Sequence, residues 1–331
     1  MSALANTLRP HWASGLHEIS GTVVKGVASW LADEDYQIYS EVTAKRFTLN
    51  VDNTETYLRA LAADINRTAI ASYESISQAT RSRLFPRSNA WILIKSYYSA
   101  FFAAHAILKM LGKSFLNVDQ FQISSVNKIA KLYGVSREDV AGGNFIATFS
   151  GVSREITWRR LDSMSGGVHE RFWTFFKEQI DQLSKDVLKN NLGTTFDYQR
   201  VSAKLTELVD NLSSESCSKG TWLSMIRNSV NYKHQFGSWY PYASQSPMGT
   251  VDERLTGRWN DDPMTMNLSL HGDRHIRKFQ ETCGFIVACC RILASDMAER
   301  CPSGKSFHTY GWLAITRLAA QRRQHLTEVG D

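Results

Sequence analysis

The chain has 331 residues, 43% of them hydrophobic and 21% charged, which allows a packed core and excludes a largely disordered chain. Its net charge of +6 permits a polyanionic partner but is too small to require one.

The first 85 residues predict a mostly helical extension. Residues 1–40 look helical but irregular. The run from Arg46 to Val51 alternates polar and apolar side chains, which indicates a short strand. Residues 53–81 carry an apolar stripe at helical spacing, and Asn53 is placed to cap that helix.

The segment from Ser88 to Gly112 predicts the central helix of a bundle. Ser88 suits its N-cap and Gly112 its end. Apolar residues occur on nearly every face, which is typical of a helix surrounded by others. Because Lys95 and Lys109 interrupt the apolar run, we expect no membrane span.

The rest of the chain predicts further helices. They are expected at residues 124–133, 168–189, 196–212, from Thr221 onward, and at 273–300, with a basic helix at 311–326 in the tail. Residues 134–167 are rich in Gly and Ser and predict a loop. Prolines break the segment 239–272 into an irregular insertion, in which residues 264–270 alternate as one strand would.

Together these segments predict an all-α protein with an irregular insertion. Its predicted parts are the extension (1–85), a helical domain (86–302) and a basic C-terminal helix or tail (303–331). The five cysteines form no Cys-x-x-Cys pair, so neither a disulfide framework nor a zinc knuckle is indicated. We expect a reducing, cytoplasmic location, no metal and no cofactor.

One predicted helix carries the residues best suited to chemistry. On an ideal helix, Arg227, Asn231 and His234 fall within about 60° of one another, beside the apolar face. A solvated stripe would lie opposite that face, whereas these residues lie where another helix or subunit can cover them. Asn228 and Lys233 add polar groups nearby.

An arginine and a histidine suit the chemistry of a phosphodiester. A guanidinium offers paired donors to phosphate oxygens, and an imidazole transfers protons near neutral pH. The pair predicts RNA cleavage without a metal, in which the 2′-hydroxyl attacks phosphorus and yields a 2′,3′-cyclic phosphate. A continuous helix would separate Arg227 from His234 by roughly 10 Å along its axis. A catalytic site therefore needs either a break in the helix or a homodimer in which both copies contribute to one composite site. The spacing alone is also compatible with an ordinary exposed helix face that has no catalytic role.

Two segments together resemble the HEPN superfamily. The run Arg227-Asn228-x5-His234 is similar to its Arg-x4–6-His signature, including the polar residue after the arginine. The run Tyr97-Tyr98-Ser99-Ala100-Phe101-Phe102-Ala103-Ala104 resembles its Tyr-Tyr-x-Ala-Phe-x-Ala-Ala core helix. The resemblance covers roughly residues 88–300.

This resemblance implies a dimerising helical bundle and a metal-independent endoribonuclease. Arg227 and His234 would be the catalytic pair and Asn228 a supporting residue, and we add Asn231 and Lys233 as RNA-binding groups. Many members act in phage defence or stress response, which implies an effector or toxin with a regulatory protein encoded nearby. Other members bind a partner protein or a nucleotide and cut nothing, so a binding module stays open. In HEPN toxins that a nucleotidyltransferase regulates, a tyrosine usually follows the histidine by two positions and is the residue that is modified. Phe236 stands at that position here, which argues against this kind of regulation.

Overall fold

The protein is mostly helical but contains a sheet. The structure, a computed structural model, describes residues 2–19, 24–81, 88–161, 166–189, 195–239, 257–268, 275–301, 306–307, 311 and 314. Across these residues it has nine α-helices and a four-stranded antiparallel sheet. The strict all-α prediction is therefore wrong, and the mostly helical class stands.

The described elements have the following bounds. The helices are α1 (Ala3–Leu8), α2 (Val27–Trp30), α3 (Thr54–Arg81), α4 (Asn89–Met110), α5 (Gln120–Leu132), α6 (Val168–Lys189), α7 (Thr195–Leu212), α8 (Trp222–Asn231) and α9 (His275–Arg300). The strands are β1 (Arg46–Asn50), β2 (Lys113–Val118), β3 (Gly143–Ser150) and β4 (Glu155–Arg160).

The chain divides into two compact units whose segments interleave. One unit comprises Met1–Pro10, Ala71–Ala104 and Ser165–Leu293, and the other comprises His11–Ile70, His105–Met164 and Ala294–Asp331. The sequence predicts consecutive parts with boundaries after residues 85 and 302, and that division stays a prediction.

The sheet belongs to the second unit, in the strand order β1-β4-β3-β2. The prediction of β1 is confirmed, but the loop predicted for residues 134–167 is wrong where β3 and β4 form a hairpin. Apolar side chains line one face of these strands and are buried there, including Phe145 and Trp158. The ring of Trp158 stacks on Phe47 of β1, with centroids 5.7 Å apart. Burial of this face stabilises the pairing of strands that are about 100 residues apart in sequence.

Capping and terminating residues explain where several of the helices begin or end. Asn53 accepts a hydrogen bond from the Glu55 amide at 3.0 Å and precedes α3, as predicted. The predicted α4 is confirmed, and Gly112 follows it with φ of +72°, a conformation that favours glycine. The helix α5 begins four residues before its predicted start, because Asp119 and Gln122 form a capping box.

Helix α4 is long and apolar enough to cross a membrane by length and composition. However, 67% of its most apolar 18-residue window is buried inside the protein. Such burial is typical of a core helix, which is the position that the sequence predicts.

The predictions for α6, α7 and α9 are confirmed within two residues at each end. The strand predicted at residues 264–270 is wrong in its described part, because Pro263–Thr265 is a short 3-10 helix. Asp262 caps it by accepting from the Met264 amide at 3.0 Å, and Pro263 fits its first position. The helix predicted at 311–326 lies outside the described residues, apart from positions 311 and 314.

Candidate functional site

Arg227 lies at the edge of the packed face of α8, as the sequence predicts. This helix buries Leu223, Ile226 and Val230 completely, while Arg227 on the neighbouring face is half-buried. All groups of the site described below belong to the first unit.

Three tyrosines and an amide surround the Arg227 guanidinium. Its Nη2 donates to the Tyr98 hydroxyl at 2.6 Å, and its Nη1 donates to Asn228 Oδ1 at 2.9 Å. The guanidinium carbon lies 5.8 Å, 5.6 Å and 5.3 Å from the ring centroids of Tyr97, Tyr98 and Tyr232. Burial of the guanidinium disfavours its charge and acts to lower its pKa. The hydrogen bond with Tyr98 and the electrostatic effect of the three tyrosines together are larger, so the pKa of Arg227 is raised. The site therefore holds a permanent cation over aromatic faces.

Tyr97 connects this cluster to α6 through its hydroxyl. The indole Nε1 of Trp173 lies 3.0 Å from the Tyr97 oxygen, and Nδ1 of His169 also lies 3.0 Å from it. An indole N–H only donates, so the phenolic oxygen accepts from Trp173. Burial raises the pKa of Tyr97 well above its ordinary value, so the hydroxyl keeps its hydrogen, and Nδ1 of His169 is close enough to accept it.

His169 is a site residue that the sequence analysis missed. It is the second residue of α6, and its ring centroid lies 4.6 Å from that of Phe101 and 5.9 Å from that of Tyr98. Burial and, second, the charge of Arg227 lower the pKa of His169. The helix N-terminus also disfavours a cation there. His169 is therefore neutral at pH 7, and the positive charge of Arg227 contributes to keeping it neutral.

His234 does not continue the helix that carries Arg227. The helix α8 ends at Asn231, and His234 takes a left-handed backbone conformation with φ of 53°. The predicted stripe of Arg227, Asn231 and His234 on one ideal helix is therefore wrong. His234 is exposed, and its ring centroid lies 6.3 Å from that of Trp239. Among the described residues, no hydrogen bond or ring contact joins His234 to Arg227.

The other predicted site residues divide between the two groups. Asn228 contacts Arg227 directly, as described above, whereas Asn231 is half-buried at the end of α8 and Lys233 is exposed beside His234. The segment after α8 is held by Trp239, whose Nε1 donates to the Val230 carbonyl at 2.7 Å. The structure thus brings Arg227 and Asn228 together and places His234 on a separate, exposed turn.

No group of three or more His, Cys, Asp or Glu residues is placed to hold a metal ion in the described part of the chain. What the site offers is a fixed guanidinium, tyrosine hydroxyls and imidazoles, a set suited to an anionic ligand.

Comparisons with known proteins add no family to this description, since no family model, curated protein or solved structure matches the chain. An assignment of function must therefore come from the site itself.

Proposed function

We propose that this protein is a metal-independent endoribonuclease of the HEPN type, with Arg227 and His234 as its catalytic pair. One observation carries the proposal: the two segments that resemble the family meet through the 2.6 Å hydrogen bond from Arg227 to Tyr98. These residues are 129 positions apart, so their contact does not follow from either motif alone.

Arg227 would bind and stabilise the phosphate. A guanidinium has five N–H hydrogens. Tyr98 engages one on Nη2, while Asn228 and, at 3.5 Å, Tyr232 engage those on Nη1. The second hydrogen of Nη2 is then able to reach a non-bridging oxygen. In the transition state, negative charge grows on these oxygens, and a fixed cation lowers its energy.

His234 would transfer protons between the RNA and water. The end of α8 at Asn231 provides the helix break that a site in one chain requires. The 2′-oxygen forms a bond to phosphorus, the bond to the 5′-oxygen breaks, and the proton lost by the 2′-hydroxyl is matched by one gained at the 5′-oxygen. An exposed imidazole suits both transfers. Asn231 and Lys233 would contact the neighbouring RNA backbone.

A homodimer would complete this site. Tyr232 stacks on the guanidinium of Arg227 yet is 65% exposed, so one edge of the site is open to a second copy. Such an enzyme would act as an effector in phage defence or stress response, held in check by a regulatory protein encoded nearby.

The test is cleavage of single-stranded RNA by the purified full chain in EDTA, with analysis of the ends produced. We expect 2′,3′-cyclic phosphate and 5′-hydroxyl ends, and we expect His234→Ala to abolish cleavage without loss of folding because His234 is exposed. His17→Ala, at another histidine whose side chain is 41% exposed, is the matched control and should cleave normally. Equal cleavage by both variants would remove His234 from the mechanism.

A non-catalytic binding module is the second candidate. It is favoured by the cage of tyrosines, which satisfies much of the Arg227 guanidinium within its own chain. Expression in bacteria separates the two: an active ribonuclease arrests growth, and Arg227→Ala relieves the arrest. If both forms are tolerated equally, the binding module is the better description.

A further inference from the structure

The hydrogen bonds around Tyr97 determine which nitrogen of His169 carries its proton. The Tyr97 oxygen accepts from Trp173 Nε1, and Nδ1 of His169 lies 3.0 Å from the same oxygen, within reach of its hydrogen. A neutral imidazole has one acceptor and one donor nitrogen. When the Tyr97 hydroxyl donates to Nδ1, Nε2 carries the hydrogen.

The surroundings of His169 hold its ring in place. The ring packs on Phe101 at 4.6 Å and meets Tyr97 and Tyr98 at 5.7 Å and 5.9 Å between centroids. Arg227 lies over the same two tyrosine rings, at 5.8 Å and 5.6 Å. The imidazole and the guanidinium therefore both lie close to the same aromatic pair, and each is within hydrogen-bond distance of a tyrosine hydroxyl.

This arrangement separates the roles of the two histidines. His234 lies on an exposed turn, where its imidazole is open to water. His169 is half-buried and neutral, and the ionisable groups that face it are Tyr97, Tyr98 and Arg227, with Glu170 next to it on α6. With Nδ1 engaged by the Tyr97 hydroxyl, the neutral imidazole offers its Nε2–H as a hydrogen-bond donor.

We propose that the Tyr97 hydroxyl donates to Nδ1 of His169, and that His169 is a further substrate-binding group of the Arg227 site, whose Nε2–H donates to an oxygen of the bound phosphodiester. The proposal rests on the proposed function, because that function supplies the ligand. It adds a donor from α6 to the guanidinium from α8, so a phosphate would be held from two helices.

The first experiment measures binding, so that it does not depend on cleavage. The probe is a short 2′-O-methyl RNA, which lacks the attacking hydroxyl, titrated into the full chain labelled with ¹⁵N at histidine. We expect the free protein to show His169 as the Nε2–H tautomer and its Nε2 signal to move as the probe binds. A His169 signal that stays in place at saturation, or a probe that does not bind at all, would overturn the proposal.

The second experiment uses variants that separate donation from packing. His169→Phe keeps an aromatic ring against Phe101 but has no donor, and we expect the probe to bind about tenfold more weakly. His169→Gln places an amide N–H near the position of Nε2 and should recover part of this loss. Equal affinities for Phe, Gln and wild type would show that His169 only packs.

Tyr97→Phe tests how the tautomer is fixed. Without the hydroxyl, Nδ1 loses its donor, and we expect the imidazole spectrum to change to a mixture of tautomers. The failure of the ribonuclease proposal is distinguishable: RNA would then stay uncut by wild type, while the His169 signal would still respond to the probe.

Discussion

The guanidinium of Arg227 donates to the hydroxyl of Tyr98 at 2.6 Å, which joins α8 to the central helix α4 across 129 residues of sequence. The bond fixes the arginine by its Nη2 atom while the tyrosine rings cover its faces. An arginine held in this way loses little conformational entropy when it binds a phosphate, so orientation is established before the ligand arrives.

Removing the Tyr98 hydroxyl should weaken both the fold and the site. In Tyr98→Phe we expect the free energy of unfolding to fall by about 1 kcal/mol, below the usual range for a hydrogen bond to a charged group, because the pair is only half-buried. Tyr232→Phe is the matched control, since that hydroxyl lies 3.5 Å from Nη1 on an exposed ring. Urea denaturation measures both. A larger loss in the Tyr232 variant would contradict the geometry.

His169 should make stability depend on pH below neutrality. Burial, and then Arg227, lower its pKa in the folded state below the unfolded value of about 6.5. Between these two pKa values the unfolded state binds more protons, so stability falls as the pH falls through that window. We expect wild type to lose free energy of unfolding from pH 7 to pH 5 relative to His169→Gln. Urea denaturation across this range tests it, and parallel curves for the two proteins would contradict it.

Local signals in the sequence predicted the long helices well. Asn53 marks the start of α3 and Gly112 follows the end of α4, because caps and stops act through the backbone within a few residues. Apart from β1, the strands of the sheet were missed for the opposite reason. The strands β3 and β4 lie in a Gly- and Ser-rich segment, and they are stabilised by packing of residues such as Trp158 against the distant Phe47.

The residues of the candidate site divide in the same way, between those that a local sequence signal predicts and those that only tertiary contacts bring together. Arg227 was found because it belongs to a short motif, and its place at the rim of the packed face follows from helical periodicity. His169 was missed because it joins the site through Tyr97, 72 residues away, and the sequence around it shows only an amphipathic helix. The turn at His234 was missed because neither Gly nor Pro stands between Asn231 and His234 to mark the end of α8.

A buried ion cluster in the second unit gives a separate prediction. Asp64 is 1% exposed and accepts from Arg67 at 2.6 Å and from the Val27 amide at 3.2 Å. Lys109 is also buried, and burial lowers its pKa despite the attraction of Asp64. Asp64→Asn should cost about 3 kcal/mol, because it leaves Lys109 without its counter-charge.

Lys109→Met should be tolerated far better than Asp64→Asn. It removes a buried charge at similar volume, while Asp64 keeps Arg67 and the Val27 amide, so we expect a change under about 1 kcal/mol. In wild type, stability should rise with pH as Lys109 loses its proton, because its folded pKa lies below the unfolded one. Urea denaturation from pH 8 to pH 10 should show this rise in wild type and not in the variant. A rise of equal size in both would show that another group is responsible.

Trp239 should control the position of His234. Its Nε1 donates to the Val230 carbonyl at 2.7 Å, and its ring meets Trp91 at 5.5 Å and His234 at 6.3 Å between centroids. Trp239→Phe keeps an aromatic ring but loses the donor, so the turn that carries His234 is less firmly attached to α8. We expect about 1 kcal/mol less stability and RNA cleavage about tenfold slower.

Trp91→Phe is the control for that variant, since Trp91 is 51% exposed and contributes its ring to the same pair. It should cleave at nearly the rate of wild type. Initial rates on one RNA substrate, measured beside urea denaturation, separate misplacement of His234 from loss of folding. If Trp239→Phe cleaves normally while His234→Ala is inactive, the left-handed backbone at His234 places the imidazole without help from the indole.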